Sequence, residues 1–314
     1  MITSIKNAAE WLKKQDNVGI LTHKNPDGDT LGSAFALHYA LKKAGIRSAV
    51  LNNDDLPKSF SFLYDNYDGG DFKAECYVAV DVADVSLLGE RFESNSDKIE
   101  LCIDHHPSNK RFAAKTVLYQ CASATCEIMY SFIKMMGIKI DKQIANCLYT
   151  GIATDTGCFK YSNTTPKAHR IAAQFIELGA DVAAINRLTF DTKTKGRLTL
   201  EQAFLSTIVY CFDGKCAIGV ITQQMLSEAG AEINEVDGIA SIPRQIEGVE
   251  VGITIKENED KSYKVSMRTG TYINASEVCS KFEGGGHMRA AGFSSSKPLD
   301  QLIEDIKEAL SEVI

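Results

Sequence analysis

The sequence lacks the features expected of an exported or membrane-bound protein. It has nine cysteines but no C-x-x-C pair, and an odd number of scattered cysteines in apolar runs is typical of reduced, buried thiols. Its first residues form a charged amphipathic helical pattern instead of a signal peptide. No later apolar stretch is long enough to span a bilayer. We therefore expect a cytoplasmic protein with no membrane association.

A net positive charge is also lacking. The sequence has 41 Asp and Glu against 34 Lys and Arg, which gives a net charge of -7. Such a chain would repel a long polyanion unless its basic residues were concentrated on one face, so we expect no long duplex nucleic acid as a partner. Small anionic ligands remain compatible, because a bound metal or a few local cations can overcome an acidic background.

Short β-branched runs alternate with helical patterns in the first half, as in VGILT, TLGSAFALHYALKKAG and CYVAVD. This alternation predicts an α/β fold with a mostly parallel sheet wrapped by helices. The polar segment TFDTKTKGRLTL precedes renewed strand patterns, so we expect two domains in the 314 residues. Their predicted bounds are 1–188 for the first domain, 189–205 for a linker and 206–314 for a smaller α/β domain.

Acidic side chains collect where the predicted strands end, which is where open parallel sheets bind their ligands. Asp27 and Asp29 follow the first strand, Asp81 ends CYVAVD and Asp104 ends IELCID. In an extended loop, residues two apart point the same way, so we expect the carboxylates of Asp27 and Asp29 to face one pocket. Two uncompensated carboxylates would repel each other there, and a bound cation would remove that cost.

Six side chains are candidate metal ligands: His23, Asp27, Asp29, Asp81, His105 and Asp155. Four carboxylates and two imidazoles favour Mn²⁺ or Mg²⁺ over a thiolate-bound zinc centre. Six ligands are too many for one small ion with open water positions, but they suit two ions that share a carboxylate. Two ions about 3.5–4 Å apart can activate water and hold a phosphoryl group. Phosphoester hydrolysis is the leading reaction.

Simpler interpretations exist for two of these segments. P-D-G-D at 26–29 is also ordinary turn chemistry, with proline presetting φ and glycine supplying a flexible corner. Asp81 could instead cap the helix that follows it.

The segment LCIDHHPSN at 101–109 adds an acid and two adjacent histidines at the end of an apolar strand. With it, the chain resembles the DHH phosphoesterase superfamily, whose motifs occur here in order: HKNPDGD at 23–29, VD at 80–81, DHH at 104–106, and the Asp155 of TGIATDTGCF. EGGGHMRAAGF at 283–293 resembles the glycine-rich signature of the DHH-associated substrate-binding domain. In its length and its DHHPSN motif, the chain is most similar to the NrnA-type nanoRNases.

The resemblance implies a role for each candidate. A first metal would be held by His23, Asp27 and Asp81, and a second by Asp29, Asp81, His105 and Asp155. Asp81 would then bridge the two ions. Asp104 would orient the histidines, as ligating imidazoles commonly require. His106 would contact the phosphate, and stabilise its charge or assist the leaving oxygen.

In the second domain, Gly284–Gly286 would let backbone N–H groups approach a ligand, and His287 follows them. Strand periodicity places Ser266 and Arg268 on one polar face, where the arginine offers a planar fork for a phosphate. A tight turn and a solvated strand face are the simpler interpretations. The resemblance implies instead a clamp for the terminal phosphate and base of a nucleotide.

Two positions depart from the family pattern. Glu283 stands where the first of four glycines usually lies, and Thr269 where a serine commonly follows the arginine. Arg244 and Arg289 are further candidates for phosphate binding. The departures leave the substrate preference open.

We therefore predict a two-domain, Mn²⁺-dependent phosphodiesterase, with Mg²⁺ as the other candidate ion. It would trim short oligoribonucleotides to mononucleotides and remove the 3′-phosphate of 3′-phosphoadenosine 5′-phosphate. A short substrate needs few phosphate contacts, which agrees with the acidic net charge. The alternatives are a linear or cyclic dinucleotide phosphodiesterase, acting on 5′-phosphoadenylyl-adenosine or cyclic di-AMP, an inorganic pyrophosphatase, and a non-catalytic nucleotide-binding module. A homodimer is left open.

Overall fold

A computed structural model describes residues 1–53, 55–65, 67, 69, 72–93, 96–231, 233–236 and 238–314. These residues form two compact units, Met1–Thr192 and Lys193–Ile314. Each unit has its own sheet and its own buried core. The segment predicted as a linker, 189–205, contains most of a helix, Lys195–Ser206, which belongs to the second unit.

The first unit is built on a parallel sheet. Its strands are β1 (Val18–Leu21), β2 (Ser48–Leu51), β3 (Cys76–Val80), β4 (Ile99–Asp104) and β5 (Lys115–Leu118). They lie in the order β2-β1-β3-β4-β5, and every pair is parallel. The chain moves outward from β1 in both directions, so a crevice is expected outside the carboxyl ends of β1 and β3.

Helices cover this sheet, and several of them begin with a side-chain cap. They are α1 (Ile5–Leu12), α2 (Gly28–Lys43), α3 (Glu90–Glu93), α4 (Thr125–Met135), α5 (Lys142–Asp155), α6 (Pro166–Glu177) and α7 (Val182–Asn186). Short 3₁₀ helices lie at Lys58–Leu63, Val85–Leu88 and Ser96–Lys98, and a π turn at Arg187–Asp191. Asp27 caps α2 by accepting two backbone N–H groups of its first turn, and Asp141 caps α5 by accepting the N–H of Ile144.

Close packing of α2, α4 and α5 determines where the site forms. A Cβ at Gly151 of α5 would lie 2.2 Å from Sγ of Cys126 and 2.5 Å from a carboxylate oxygen of Asp29. Only glycine leaves room for α4 and the start of α2 to meet α5 at this depth. The three helices share one core with the sheet, in which Phe35, Phe132 and Phe175 are fully buried.

The second unit has a mixed sheet. Its strands are β6 (Val209–Cys211), β7 (Cys216–Ile221), β8 (Val251–Glu257), β9 (Tyr263–Thr269), β10 (Gly285–His287) and β11 (Ala290–Ser295). They lie in the order β10-β11-β9-β8-β7-β6, with only β7 and β8 parallel among these pairs. Its helices are α8 (Lys195–Ser206), α9 (Gln223–Ala229), α10 (Ala275–Ser280) and α11 (Leu299–Ser311), with 3₁₀ helices at Ile233–Val236, Ile239–Ser241 and Pro243–Gln245.

The predicted α/β fold, with a mostly parallel sheet wrapped by helices and a second α/β domain, is confirmed. The nine cysteines are free thiols. Within the ranges described, no helix combines the length and the apolar character needed to cross a bilayer.

Candidate metal centre and phosphate-binding strands

The acidic and histidine side chains lie at the carboxyl edge of the first sheet, as expected. One expectation was wrong in detail: the chain is not extended through Asp29, because α2 already begins at Gly28. Asp27 is the N-cap, and its Oδ1 accepts the N–H groups of Asp29 (3.0 Å) and Thr30 (3.1 Å). Asp27 and Asp29 therefore face different neighbours.

The structure brings all six predicted ligands, together with His106, into three overlapping groups. Within each group the ligand atoms lie within 4.8 Å of one another. The groups are His23, Asp27 and Asp81; Asp29, His105 and Asp155; and Asp81, His105 and His106. Metal binding by these groups stays a prediction, but Asp81 belongs to two groups, as a carboxylate shared between two ions would require.

Three histidine rings are anchored in the same way. Nδ1 of His23 donates to the carbonyl of Lys24 (2.9 Å), and Nδ1 of His105 donates to the carbonyl of Ala122 (3.1 Å). Nδ1 of His106 donates to Oδ1 of Asp104 (2.8 Å). A hydrogen bond at one ring nitrogen orients the ring and leaves the other nitrogen for a ligand. Nε2 of His23 and Nε2 of His105 accordingly face carboxylates.

Asp81 lies between the groups, and its two oxygens face different sides. Oδ2 is 3.8 Å from Nε2 of His23, whereas Oδ1 is 3.8 Å from Nε2 of His105 and 3.6 Å from Nδ1 of His106. The side chain is 3% exposed, and the backbone has a φ of 59°. A left-handed backbone is costly for a residue with a side chain and is often found at functional sites. This geometry suits a bridging carboxylate.

The carboxylates of the cluster repel one another. Burial, reinforced by the charges of Asp27 and Asp155, raises the pKa of Asp81 to about 7. Burial and the charges of Asp81 and Asp155 also raise the pKa of Asp29 well above its usual value. Cations would compensate these charges. The oxygen and imidazole donors fit a hard or borderline divalent ion such as Mg²⁺ or Mn²⁺.

The pKa values of the two candidate ligand histidines are also raised, which for a histidine favours the charged form. Burial alone would lower the pKa of His23, but its interactions with Asp27 raise it to about 9. Burial would likewise lower the pKa of His105, but its hydrogen bond to Asp155 and the charge of Asp29 raise it to about 10. Without a metal, both rings are therefore protonated on both nitrogens at neutral pH and act as local cations.

Asp104 supports His106 instead of facing the other acids. It is fully buried, and its Oδ1 also accepts the backbone N–H of His105 (2.8 Å). Oδ2 of Asp104 accepts a hydrogen bond of 2.6 Å from Nδ2 of Asn109. Asp104 therefore orients the ring of His106, whereas the ring of His105 is held by a backbone carbonyl. The ring of His106 is 38% exposed, so it can reach a ligand.

In the second unit, Ser266 and Arg268 lie on the face of β9 opposite the core, since their neighbours Val265 and Met267 are fully buried. Both side chains are half-buried. Nη1 of Arg268 donates to the carbonyl of Met267 (3.1 Å). The polar face predicted from strand periodicity is therefore present.

The glycine-rich segment forms β10, which is the edge strand of the sheet that contains this face. The register places His287 of β10 in one row with Arg268, and Gly285 in one row with Ser266. A Cβ at Gly285 would meet no atom within 4 Å, and His287 is exposed. The structure thus brings together an arginine, a serine and a histidine around a surface without side-chain obstruction.

The further candidates differ in their surroundings. Arg289 donates to the carbonyls of Ile273 (2.9 Å) and Thr271, so it stabilises the loop before α10. Arg244 is exposed, and its backbone lies over Gly252, which is in register with Arg268.

The two departures from the family pattern have structural consequences. Glu283 has a φ of 60°, a conformation that glycine adopts without the steric cost of a side chain. The hydroxyl of Thr269 donates to the carbonyl of Met288 (3.3 Å), a bond that a serine could also make.

Comparison with known proteins identifies the family. Residues 17–152 match the DHH family, N-terminal domain, and residues 215–314 match the DHHA1 domain. The chain is 33% identical, over 97% of its length and 92% of the relative, to the bifunctional oligoribonuclease and PAP phosphatase NrnA of Thermus thermophilus.

The chain belongs to the DHH family. Among solved structures, an exopolyphosphatase-related protein of Bacteroides fragilis is similar to this DHH chain with a TM-score of 0.86 and 22% identity, covering 98% of this chain and 95% of that one. RecJ of Thermus thermophilus in complex with Mn²⁺ is similar with a TM-score of 0.59 and 16% identity, covering 98% of this chain and 54% of that one. Both likenesses show the DHH fold. The family confirms the predicted enzyme class, a phosphoesterase.

The sequence analysis did not identify the residues that lie outside the DHH motifs and hydrogen-bond to the side chains of the motifs. The amides of Thr125 and Cys126 at the start of α4 both donate to the carboxylate of Asp29, and Ala122 just before them anchors His105. The segment ATCEIMYSFIKMMG indicates only a helix. The order of elements was an available signal. A helix that directly follows β5 has its N-terminus near the carboxyl edge of the sheet, where the acidic side chains lie.

A second supporting network tethers the end of α5. The side-chain amide of Asn163 donates to the carbonyls of Asp155 (3.0 Å) and Ser123 (3.1 Å). The hydroxyl of Ser123 donates to the carbonyl of Asn163 (2.7 Å). These bonds fix the backbone of a DHH-motif aspartate to the segment before α4.

Proposed function

We propose that this DHH-family protein is a two-metal phosphodiesterase that degrades short oligoribonucleotides to mononucleotides. We also propose that it removes the 3′-phosphate of 3′-phosphoadenosine 5′-phosphate. The observation that carries the proposal is the position of Asp81, whose two oxygens face two different groups of candidate ligands. The substrates are those in the name of the Thermus thermophilus relative.

For one ion the proposed ligands are the group of His23, Asp27 and Asp81, and for the other they are the group of Asp29, His105 and Asp155. The family resemblance adds Asp81 to the second set as the shared carboxylate. When bound, the pair of ions would activate a water molecule and neutralise the phosphoryl oxygens. Mn²⁺ is the proposed ion, with Mg²⁺ as the alternative. The mixture of imidazole and carboxylate donors supports this choice.

His106 is the proposed contact to the reacting phosphate. Its Nδ1 is held by Asp104 at 2.8 Å, and Asn109 fixes the other oxygen of that carboxylate. Burial would lower the pKa of His106, but Asp104 and the charge of Asp81 raise it. The ring therefore holds a proton more readily at neutral pH. It can donate a hydrogen bond to a phosphoryl oxygen or a proton to the leaving oxygen.

In the second unit, the polar face of β9 is the proposed phosphate-binding surface. Arg268 would bind a phosphate with its planar fork, and Ser266 and His287 would add hydrogen bonds. The obstruction-free surface at Gly285 would admit the nucleotide. Few contacts of this kind suffice for a short substrate, whereas the net charge of -7 disfavours a long duplex.

The cytoplasm is the proposed location, since nine free thiols suit a reducing compartment. Sedimentation of the purified protein would test for a homodimer, which the sequence leaves open.

The test is a time course with labelled RNA two- to five-mers, 3′-phosphoadenosine 5′-phosphate, 5′-phosphoadenylyl-adenosine, cyclic di-AMP and pyrophosphate, each with Mn²⁺ or Mg²⁺. We expect mononucleotides from the RNA and AMP from the bisphosphate. Asp81→Asn should abolish both reactions, and Asp97→Asn, at an exposed position outside the site, should not. Faster turnover of either dinucleotide or of pyrophosphate would overturn the substrate assignment, and full activity of Asp81→Asn would overturn the two-metal mechanism.

A further inference from the structure

Thr125, at the start of α4, is fully buried and contacts two of the candidate ligands. Its hydroxyl donates a hydrogen bond of 2.8 Å to Oδ1 of Asp81. Its backbone N–H donates to Oδ2 of Asp29 at 2.6 Å, and the N–H of Cys126 donates to Oδ1 at 2.9 Å. One turn of helix therefore holds two carboxylates that the proposed function assigns to the metal pair.

The carboxylate of Asp81 needs such support. Its backbone is held by a hydrogen bond from its N–H to the carbonyl of Ile103 (2.9 Å), but this bond does not set the side-chain torsions. The left-handed φ of 59° stores strain that surrounding contacts must balance. The hydroxyl of Thr125 donates to Oδ1, the oxygen that faces His105, whereas Oδ2 faces His23.

The side chain at position 125 suits this task. A threonine has a restricted χ1, so its hydroxyl keeps one direction. The donated bond occupies only one lone pair of Oδ1, and the remaining lone pairs stay available for a cation.

We propose that Thr125 is a positioning residue for the metal pair, and that its hydroxyl holds Asp81 in the orientation that bridges the two ions. This inference rests on the proposed two-metal function. Because the same residue binds Asp29 through its backbone, α4 ties the bridging carboxylate and a ligand of the second ion to one rigid element. The distance between these two carboxylates is then set by the helix.

Two variants test the hydroxyl. Thr125→Val keeps the shape and the backbone N–H, and Thr125→Ala removes the hydroxyl without placing a methyl group against the carboxylate. Thr125→Ser restores the donor. The matched control is Thr116→Val on β5, because Thr116 is also fully buried and its hydroxyl has no hydrogen-bond partner within the described part of the chain.

The readouts are Mn²⁺ stoichiometry and Kd from calorimetry, and the spin-coupled signal of a Mn²⁺ pair in electron paramagnetic resonance. Loss of a residue that supports a ligand typically costs about 10- to 100-fold in metal affinity. We expect a loss of this size for at least one of the two ions in Thr125→Val and Thr125→Ala, with a weakened coupled signal. Thr125→Ser and Thr116→Val should match the wild type.

The outcomes separate this inference from the function it rests on. If the wild type binds a Mn²⁺ pair and the two hydroxyl-free variants bind it with unchanged Kd and coupling, the role of Thr125 is refuted and the function stands. The positioning role is equally refuted if those variants lose thermal stability without any change in Mn²⁺ affinity, since that is a structural role alone. If the wild type binds no pair, both ideas fail.

Discussion

Binding of the metal pair should release at least about two protons at pH 7.5, one from each candidate ligand histidine. The pKa values of His23 and His105 are about 9 and about 10 in the absence of metal. At pH 7.5 each ring is therefore more than about 95% protonated. Nδ1 of each ring already donates to a carbonyl, so the nitrogen that must bind the cation is Nε2. That nitrogen has to lose its proton first.

The sign and size of the pH dependence follow from these values. Protons compete with the metal, so affinity rises with pH. For the pair of ions, the product of the two association constants should rise at least about 100-fold per pH unit between pH 7 and 8.5, since at least two protons leave. The slope should decrease as the pH passes about 9 and then about 10. Below pH 7, protonation of Asp81, whose pKa is about 7, should add to the loss.

Calorimetric titration with Mn²⁺ in buffers of different ionisation enthalpy measures the number of protons released. His23→Gln should lower that number by about one. His38→Gln is the matched control, because burial lowers the pKa of His38 to about 4 and its Nδ1 is paired with Ser48, outside the candidate site. A release below about half a proton at pH 7.5, or an affinity that is flat from pH 7 to 9, would refute this account of the site.

Other consequences can be measured on single variants. Asp81→Asn should raise the free energy of unfolding of the metal-free protein at pH 8 by up to about 4 kcal/mol, measured by denaturant unfolding. The pKa of Asp81 is raised to about 7 in the folded state, so the ionised carboxylate destabilises the fold by an amount that grows between pH 3.8 and 7. An unchanged or lower stability would contradict the proposed repulsion. His106→Ala should lower kcat by about 10²–10⁴-fold while two Mn²⁺ ions still bind, and loss of an ion would instead make it a ligand. Arg268→Lys should raise KM for 3′-phosphoadenosine 5′-phosphate about 10-fold or more, since the planar fork is lost, and an unchanged KM would remove the arginine from the binding site. Glu283→Gly should raise the free energy of unfolding by about 1 kcal/mol, because it relieves the left-handed φ of 60°; a lower thermal midpoint would count against that strain.

Much of the fold could be predicted from the sequence because its signals are local. The alternation of strand and helix patterns predicts the parallel sheet, and the acids that end CYVAVD and IELCID are placed at its carboxyl edge by that topology. The geometry near Asp29 could not be predicted in the same way. The motif suggests an extended loop there, whereas capping by Asp27 starts the helix two residues earlier and turns the two carboxylates toward different neighbours.

By itself, the sequence determined which chemical groups are available and at which edge of the sheet they collect, because residue type and periodicity are enough for both. Only the tertiary structure decided how those groups are oriented. The amides on Asp29 and the carbonyl on His105 belong to the backbone, which every residue type shares, so no motif records them. Their directions depend on how α4 packs against α2 and α5. The contact of α4 with Asp29 joins residues that are 96 and 97 positions apart in the chain.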